Sequence, residues 1–333
     1  MKKARYFEKL KDQKVQCFLC PHQCLIPEGD AGICRARVNK DGILYSDNYG
    51  KISSISIDPI EKKPLYHFYP GKDILSLGTF GCNFSCGFCQ NWRISQQKPA
   101  VEKYTPEEIV NLALKKDVCG IAYTYSEPLI WFEFVLETSK LASEKNLKNV
   151  LVTNGYIQEE PLEELLPYID GANIDVKSFS PDFYEEYPGG TLKPVLSNVK
   201  KMYKNIHIEL TNLLISDIND SEAELKELFS WVKDIDPEIP LHLSRYFPNY
   251  QFDKEQTSIQ TMKKAYNLAK KYLNFVYLGN VRLEKGSDTF CSECGKDLIK
   301  RNFYNSQSYL EGNKCPECGN IIYGEFTNNS LGN

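Results

Sequence analysis

The sequence has no low-complexity tract and no block of like charge, so disorder is expected only at the ends, such as the terminal "TNNSLGN". It also has no apolar run of membrane length. The most apolar stretch, "IAYTYSEPLIWFEFVL", is broken by Glu127, Pro128 and Glu133, well short of the roughly 20 residues that cross a bilayer. The opening "MKKARYFEKLKDQK" is charged throughout and lacks the apolar centre of a secretion signal. A cytoplasmic chain without a membrane partner is therefore expected. The formal charge is only -4 over 333 residues, which leaves no electrostatic footprint for nucleic acid. The first 40 residues carry nine Lys and Arg against four Asp and Glu; this excess reads as a solvated basic end.

Cysteine is the informative residue. Twelve are present, and in a reducing compartment clustered spacings point to metal rather than disulfides. They form three groups: Cys17, Cys20, Cys24 and Cys34; Cys82, Cys86 and Cys89; and Cys291, Cys294, Cys315 and Cys318. Cys119 stands alone, beside Gly120, and reads as a small core residue.

Between the outer cysteine groups, short apolar runs alternate with amphipathic segments, the pattern of a parallel sheet with helical crossovers. Strands are predicted at 74–80, 119–125, 149–154, 171–177, 206–215, 240–246 and 275–280. Helix starts are marked by Thr105-Pro106 with Glu108, by Ser221 with Glu224, and by Ser180-Pro181. The expected fold is α/β: a partial (β/α)6 TIM-like barrel at 61–282, a small Cys-rich module at 1–60, and a zinc-ribbon-like or rubredoxin-like module at 283–333. Functional groups of such a barrel belong at the C-terminal ends of its strands.

The stretch "FGCNFSCGFCQNW" has three cysteines at C-x3-C-x2-C spacing and no fourth nearby. It follows the first predicted barrel strand. A closed structural metal site takes four ligands, so a trio points to a centre with one open position. Zinc with a distant fourth ligand is the alternative.

Together, "GCNFSCGFCQNWRIS", "DPIEKKPLYHFYPG", "YTYSEP" and "VTNGY" resemble the AmmeMemoRadiSam system radical SAM enzymes, relatives of pyruvate formate-lyase-activating enzymes. The resemblance implies a 4Fe-4S cluster on Cys82, Cys86 and Cys89 whose fourth iron binds S-adenosylmethionine. Reductive cleavage would give a 5'-deoxyadenosyl radical that takes hydrogen from an unidentified substrate. It also implies an electron donor such as flavodoxin or ferredoxin, and Memo-type and AMMECR-type partner proteins. Glu127, preceded by Ser126, stands where relatives hold the methionine amino group with a Gly-Gly-Glu-Pro sequence; Tyr125 and Ser126 replace the two glycines. Thr153 and Asn154 match an Asp-Thr-Asn-Gly pattern with Val152 in place of the acid, and Asp175 and Lys177 match an Asp-x-Lys pattern. Strand alternation puts that last pair on one face, as it does His242 and Ser244.

The C-terminal set, C-x2-C-x20-C-x2-C, reads as zinc in preference to iron, because nothing else there calls for redox chemistry. The N-terminal set, C-x2-C-x3-C-x9-C with His22 as a substitute ligand, fits either a zinc clip or a second cluster. Rival functions are activation of a glycyl-radical enzyme, a non-catalytic metal-dependent binding module, and an electron carrier.

Overall fold

The computed structural model describes residues 1–283 and 285–326; "TNNSLGN" lies outside the described residues. Its centre is an eight-stranded sheet: β1 (Ser54–Pro59), β2 (Asp73–Gly78), β3 (Gly120–Tyr123), β4 (Lys148–Thr153), β5 (Gly171–Asp175), β6 (His207–Leu214), β7 (Leu241–Arg245) and β8 (Val276–Gly279). The strands lie side by side in chain order, and β2 to β8 are parallel. Among the described residues the two end strands do not pair, so the barrel stays partial. The parallel strands agree with the predicted ones to within three residues at each end.

β1 is the difference. It pairs antiparallel with β2, although it falls in the segment assigned from the sequence to the N-terminal module. Its Ile55 and Ile57 are exposed, so it lacks the doubly buried apolar run that marks the other strands.

Six crossovers join the parallel strands through α1 (Pro106–Lys115), α2 (Phe132–Glu144), α3 (Glu159–Leu165), α4 (Pro181–Glu186) with α5 (Leu192–Tyr203), α6 (Glu222–Ile235) and α7 (Ile259–Ala269). Thr105 caps α1 in a full capping box, accepting from Glu108 N at 3.2 Å while the Glu108 carboxylate accepts from Thr105 N at 2.8 Å. At α6 only half of that device forms. Ser221 accepts from Glu224 N, but the Glu224 carboxylate takes bonds from Ser178 and Phe179 instead. Ser180 caps α4 as expected.

The outer face of the sheet packs on these helices through Leu77, Leu151, Ile174, Leu210 and Leu243, all in one core. The inner face is closed at its lower end by residues 60–68, whose Ile60, Leu65 and Phe68 pack on Ile74, Ala122 and Val150. Gly171 admits the Phe68 ring, which would lie 3.0 Å from a side-chain carbon placed there. Cys119 is half-buried just before β3 and packs against this plug.

Two small antiparallel sheets form in residues 2–46, and a third, built from Thr289–Phe290, Asp297–Asn302 and Asn305–Ser308, forms in the C-terminal region. The latter seats on the plug and on β8: Arg301 donates to Tyr66 O at 2.6 Å and lies 4.3 Å from the Tyr66 ring centre. Phe275 and Tyr277 share its apolar core. No helix of the described residues is long and apolar enough to cross a membrane.

Candidate active site

The loop after β2 carries the three cysteines to the C-terminal end of the sheet. Gly81 turns the chain there with φ +92°, and a side-chain carbon on it would lie 2.4 Å from Cys34 O. Position 81 therefore requires glycine on both counts. Cys82 Sγ accepts from Phe84 N at 3.3 Å and lies 3.8 Å from Asn154 Nδ2; Cys89 Sγ lies 3.2 Å from Ser95 Oγ. Burial drives the Cys86 thiol up to about 11, against the opposing charge of Lys177, and drives Cys82 well above its ordinary value with Glu127 adding to the effect. Thiols held protonated in this way lose their protons when a cationic group binds them.

Tyr125 takes the left-handed conformation, φ +67°, at the position where the resembled family carries glycine. Three contacts hold it there. Its hydroxyl donates to Asp58 Oδ2 at 2.6 Å, Lys63 sits 4.5 Å from its ring centre, and its carbonyl accepts from Asn91 at 2.7 Å. Gly78 supplies the space, since a side-chain carbon on it would come within 2.9 Å of the Tyr125 ring. The neighbouring Ser126 Oγ is buried and has no hydrogen-bond partner among the described residues.

Glu127 is buried, and its carboxylate accepts from Leu129 N at 3.0 Å, Thr153 Oγ1 at 2.6 Å and Asn154 N at 2.9 Å. Burial pushes its pKa up to about 7 in spite of those bonds. Asn154 in turn donates to Asn83 Oδ1 at 2.8 Å, which ties the end of β4 to the cysteine loop. Glu127, Thr153, Asn154 and Cys82 thus form one connected set.

Strand register defines the inner face. Asp175 pairs with Thr211, Thr211 with His242, and His242 with Tyr277, and registered neighbours of parallel strands point the same way. Lys177 Nζ meets Asp175 Oδ2 at 2.9 Å. Although burial disfavours its ammonium, Asp175 and then Cys86 hold Lys177 above its ordinary pKa. Lower down, Glu209 accepts from His242 at 2.6 Å, His207 at 3.2 Å and His67 N at 2.7 Å. A cavity of about 620 Å³ opens beside Thr211, His242 and Ser244, walled on the other side by Arg301 to Tyr304.

Glu209 lies outside the quoted motifs, and Asn83, Asp58 and Lys63 lie inside them without a role assigned from the sequence. Glu209 had a signal, an acid in the middle of the apolar run "IHIELTNLLI"; the others depend on contacts across distant segments. His242 is a hydrogen-bonded core residue at the cavity wall.

Among the described residues, the group of three or more His, Cys, Asp or Glu whose ligand atoms all lie within 4.8 Å of one another is Cys291, Cys294, Cys315 and Cys318. Cys291 to Cys318 and Cys294 to Cys315 are both 3.6 Å between sulfurs.

Residues 76–232 match the model of the Radical SAM superfamily. Over 332 residues, 97% of this chain and 99% of the other, the protein is 44% identical to the uncharacterized protein MJ0808 of Methanocaldococcus jannaschii. It is 28% identical to the 4-hydroxyphenylacetate decarboxylase activating enzyme of Clostridium scatologenes over 211 residues, 60% of each chain. Streptococcus suis SuiB bound to S-adenosylmethionine shares the fold, with TM-score 0.51 and 14% identity over 67% of this chain and 54% of that one. The chain belongs to the radical SAM superfamily and is an enzyme of that class. Membership implies a 4Fe-4S cluster, S-adenosylmethionine and a source of electrons.

Proposed function

We propose that Cys82, Cys86 and Cys89 ligate a 4Fe-4S cluster whose remaining iron binds S-adenosylmethionine, and that the protein cleaves this cofactor reductively to abstract hydrogen from a substrate held in the partial barrel. The observation that carries the reading is the convergence of the trio, the unpartnered Ser126 Oγ and the Glu127–Thr153–Asn154 set at one end of the sheet. When bound, the cluster supplies the electron that opens the sulfonium. The chain's own residues bind and orient. Ser126 is a free donor for the cofactor. Glu127 uses three of about four acceptor sites on its carboxylate within the protein, leaving one for an ammonium. Thr153 and Asn154 fix that carboxylate, and Asp175 with Lys177 provides a charged pair at the barrel mouth.

The C-terminal quartet holds zinc in this reading, since its sulfur spacings suit tetrahedral bonds of about 2.3 Å. The three-part division at 1–60, 61–282 and 283–333 is retained, with β1 contributed to the central sheet. A flavodoxin or ferredoxin as donor, Memo-type and AMMECR-type partners, and a cytoplasmic location rest on the sequence resemblance and the free cysteines. Similarity to an activating enzyme favours one specific alternative, a protein glycine as hydrogen donor.

The test is anaerobic reconstitution with iron and sulfide, addition of S-adenosylmethionine and a strong reductant, and quantification of 5'-deoxyadenosine and methionine. Both products should form in the wild type and fall to background in Cys82→Ala, Cys86→Ala and Cys89→Ala. Cleavage that persists without the trio would sink the assignment.

A further inference from the structure

The N-terminal cysteines differ in geometry from the C-terminal ones. Cys17, Cys20, Cys24 and Cys34 all line one small pocket, of about 10 Å³. Cys17, Cys20 and Cys34 are buried. Yet no three of these sulfurs join a group within 4.8 Å, unlike the C-terminal four. A single zinc with bonds of about 2.3 Å would hold its thiolates as close together as the C-terminal four. A cubane has its ligated corners farther apart, which suits four sulfurs that face one pocket without closing to that spacing. His22 does not compete as an Nε2 ligand, because that nitrogen bonds Asn83 O at 2.7 Å.

This pocket adjoins the trio. Cys34 O abuts Gly81, Arg35 donates to Ser95 O at 3.0 Å and to Gln96 Oε1 at 2.7 Å, and His22 contacts the residue after Cys82. Cys20 belongs to the same apolar cluster as Phe84, Cys86 and Phe88, against which Cys82 and Cys89 pack. Ile33, a wall residue of the same pocket, is 47% exposed. The walls of the pocket thus include both a solvent-exposed residue and residues that touch the site.

We infer that Cys17, Cys20, Cys24 and Cys34 hold a second 4Fe-4S cluster, which passes electrons from an external low-potential donor to the cluster at Cys82, Cys86 and Cys89. The relay function rests on the proposed role of that trio; the occupancy of the quartet does not. Each transfer moves one electron. The donor is oxidised as the outer core goes from 2+ to 1+, and the outer core returns to 2+ as the inner core is reduced to 1+. No bond forms or breaks and no proton moves.

The first test is the metal content and the low-temperature EPR of the full chain, anaerobically reconstituted with iron, sulfide and zinc and then reduced with dithionite. Wild type should hold about eight irons, and the Cys82→Ala/Cys86→Ala/Cys89→Ala variant about four, with the spectrum of a reduced cubane. An iron-free, folded triple variant carrying two zinc ions per chain would overturn the inference. If the triple variant instead kept all the wild-type iron, the assignment of the trio would fail while the quartet's stood. Cys24→Ser changes the half-exposed ligand alone and should shift the outer cluster's EPR spectrum with circular dichroism unchanged; an unaltered spectrum contradicts the assignment. In that variant, reduction of the inner cluster by a ferredoxin should slow at least tenfold while reduction by dithionite does not. Equal rates with ferredoxin would remove the relay.

Discussion

His67 shows how one residue links the plug to the C-terminal region. Its Nδ1 bonds Tyr323 O at 2.7 Å and its Nε2 bonds Tyr277 Oη at 2.6 Å, an arrangement that suits a neutral ring. Burial lowers its pKa to about 3, Glu209 opposing and Arg301 and His207 adding. Above the ordinary value of 6.5 both folded and unfolded chains carry it neutral, so the full stability is present there. As pH falls from 6.5 toward about 3, the unfolded chain takes up a proton that the folded chain refuses. Stability should drop by about 1.4 kcal/mol per pH unit from this group. Urea titrations at pH 6.5 and 5.5 should show a slope in wild type that His67→Gln reduces by about one proton. Gly81→Ala should be damaging for a different reason: left-handed strain of roughly 1–3 kcal/mol adds to the collision with Cys34 O. Its expected signs are a lower melting temperature and reduced iron uptake on reconstitution.

At the scale of elements, α2 is the anchor of the N-terminal region. Glu133 in its first turn pairs with Arg37 at 2.9 Å, both side chains 2% exposed, and also accepts from Arg5 N at 2.8 Å. Removing one partner leaves a buried charge without compensation, which costs about 3–5 kcal/mol. Arg37→Met should lower stability by that amount in denaturant unfolding, and Arg37→Met/Glu133→Leu should recover much of it. A loss below about 1 kcal/mol for the single change would mean that solvent reaches Glu133. The crossover elements were readable because each carries its own local instruction, as the Thr105 box does for α1. β1 was not, because its pairing with β2 is decided by a neighbour and not by its own burial pattern.

For the whole molecule, the cysteine groups divide the labour by their surroundings. Cys294 and Cys318 are exposed, whereas none of Cys82, Cys86 and Cys89 is, so a chelator should reach an ion held by the C-terminal four more readily than a cluster on the trio. Treatment with a zinc chelator should remove one zinc per chain and lower the melting temperature by several degrees, because site binding is folding free energy. The brown colour of the clusters should persist. Bleaching in parallel with zinc loss would show that the C-terminal region is needed to close the barrel.

The sequence by itself determined the kinds of chemistry and their order along the chain: the spacing of Cys82, Cys86 and Cys89, the strand ends bearing Glu127, Asn154 and Lys177, and the capping signals that set the crossovers. These are local, since a ligand spacing or a cap is a relation among near neighbours. Only the tertiary structure decided that Cys34 lies against Gly81, that Glu127 is bonded to Thr153 and Asn154, and that Glu209 gathers His67 and His242. Those contacts join segments distant in the chain, and their energies come from burial, which no single stretch of residues specifies.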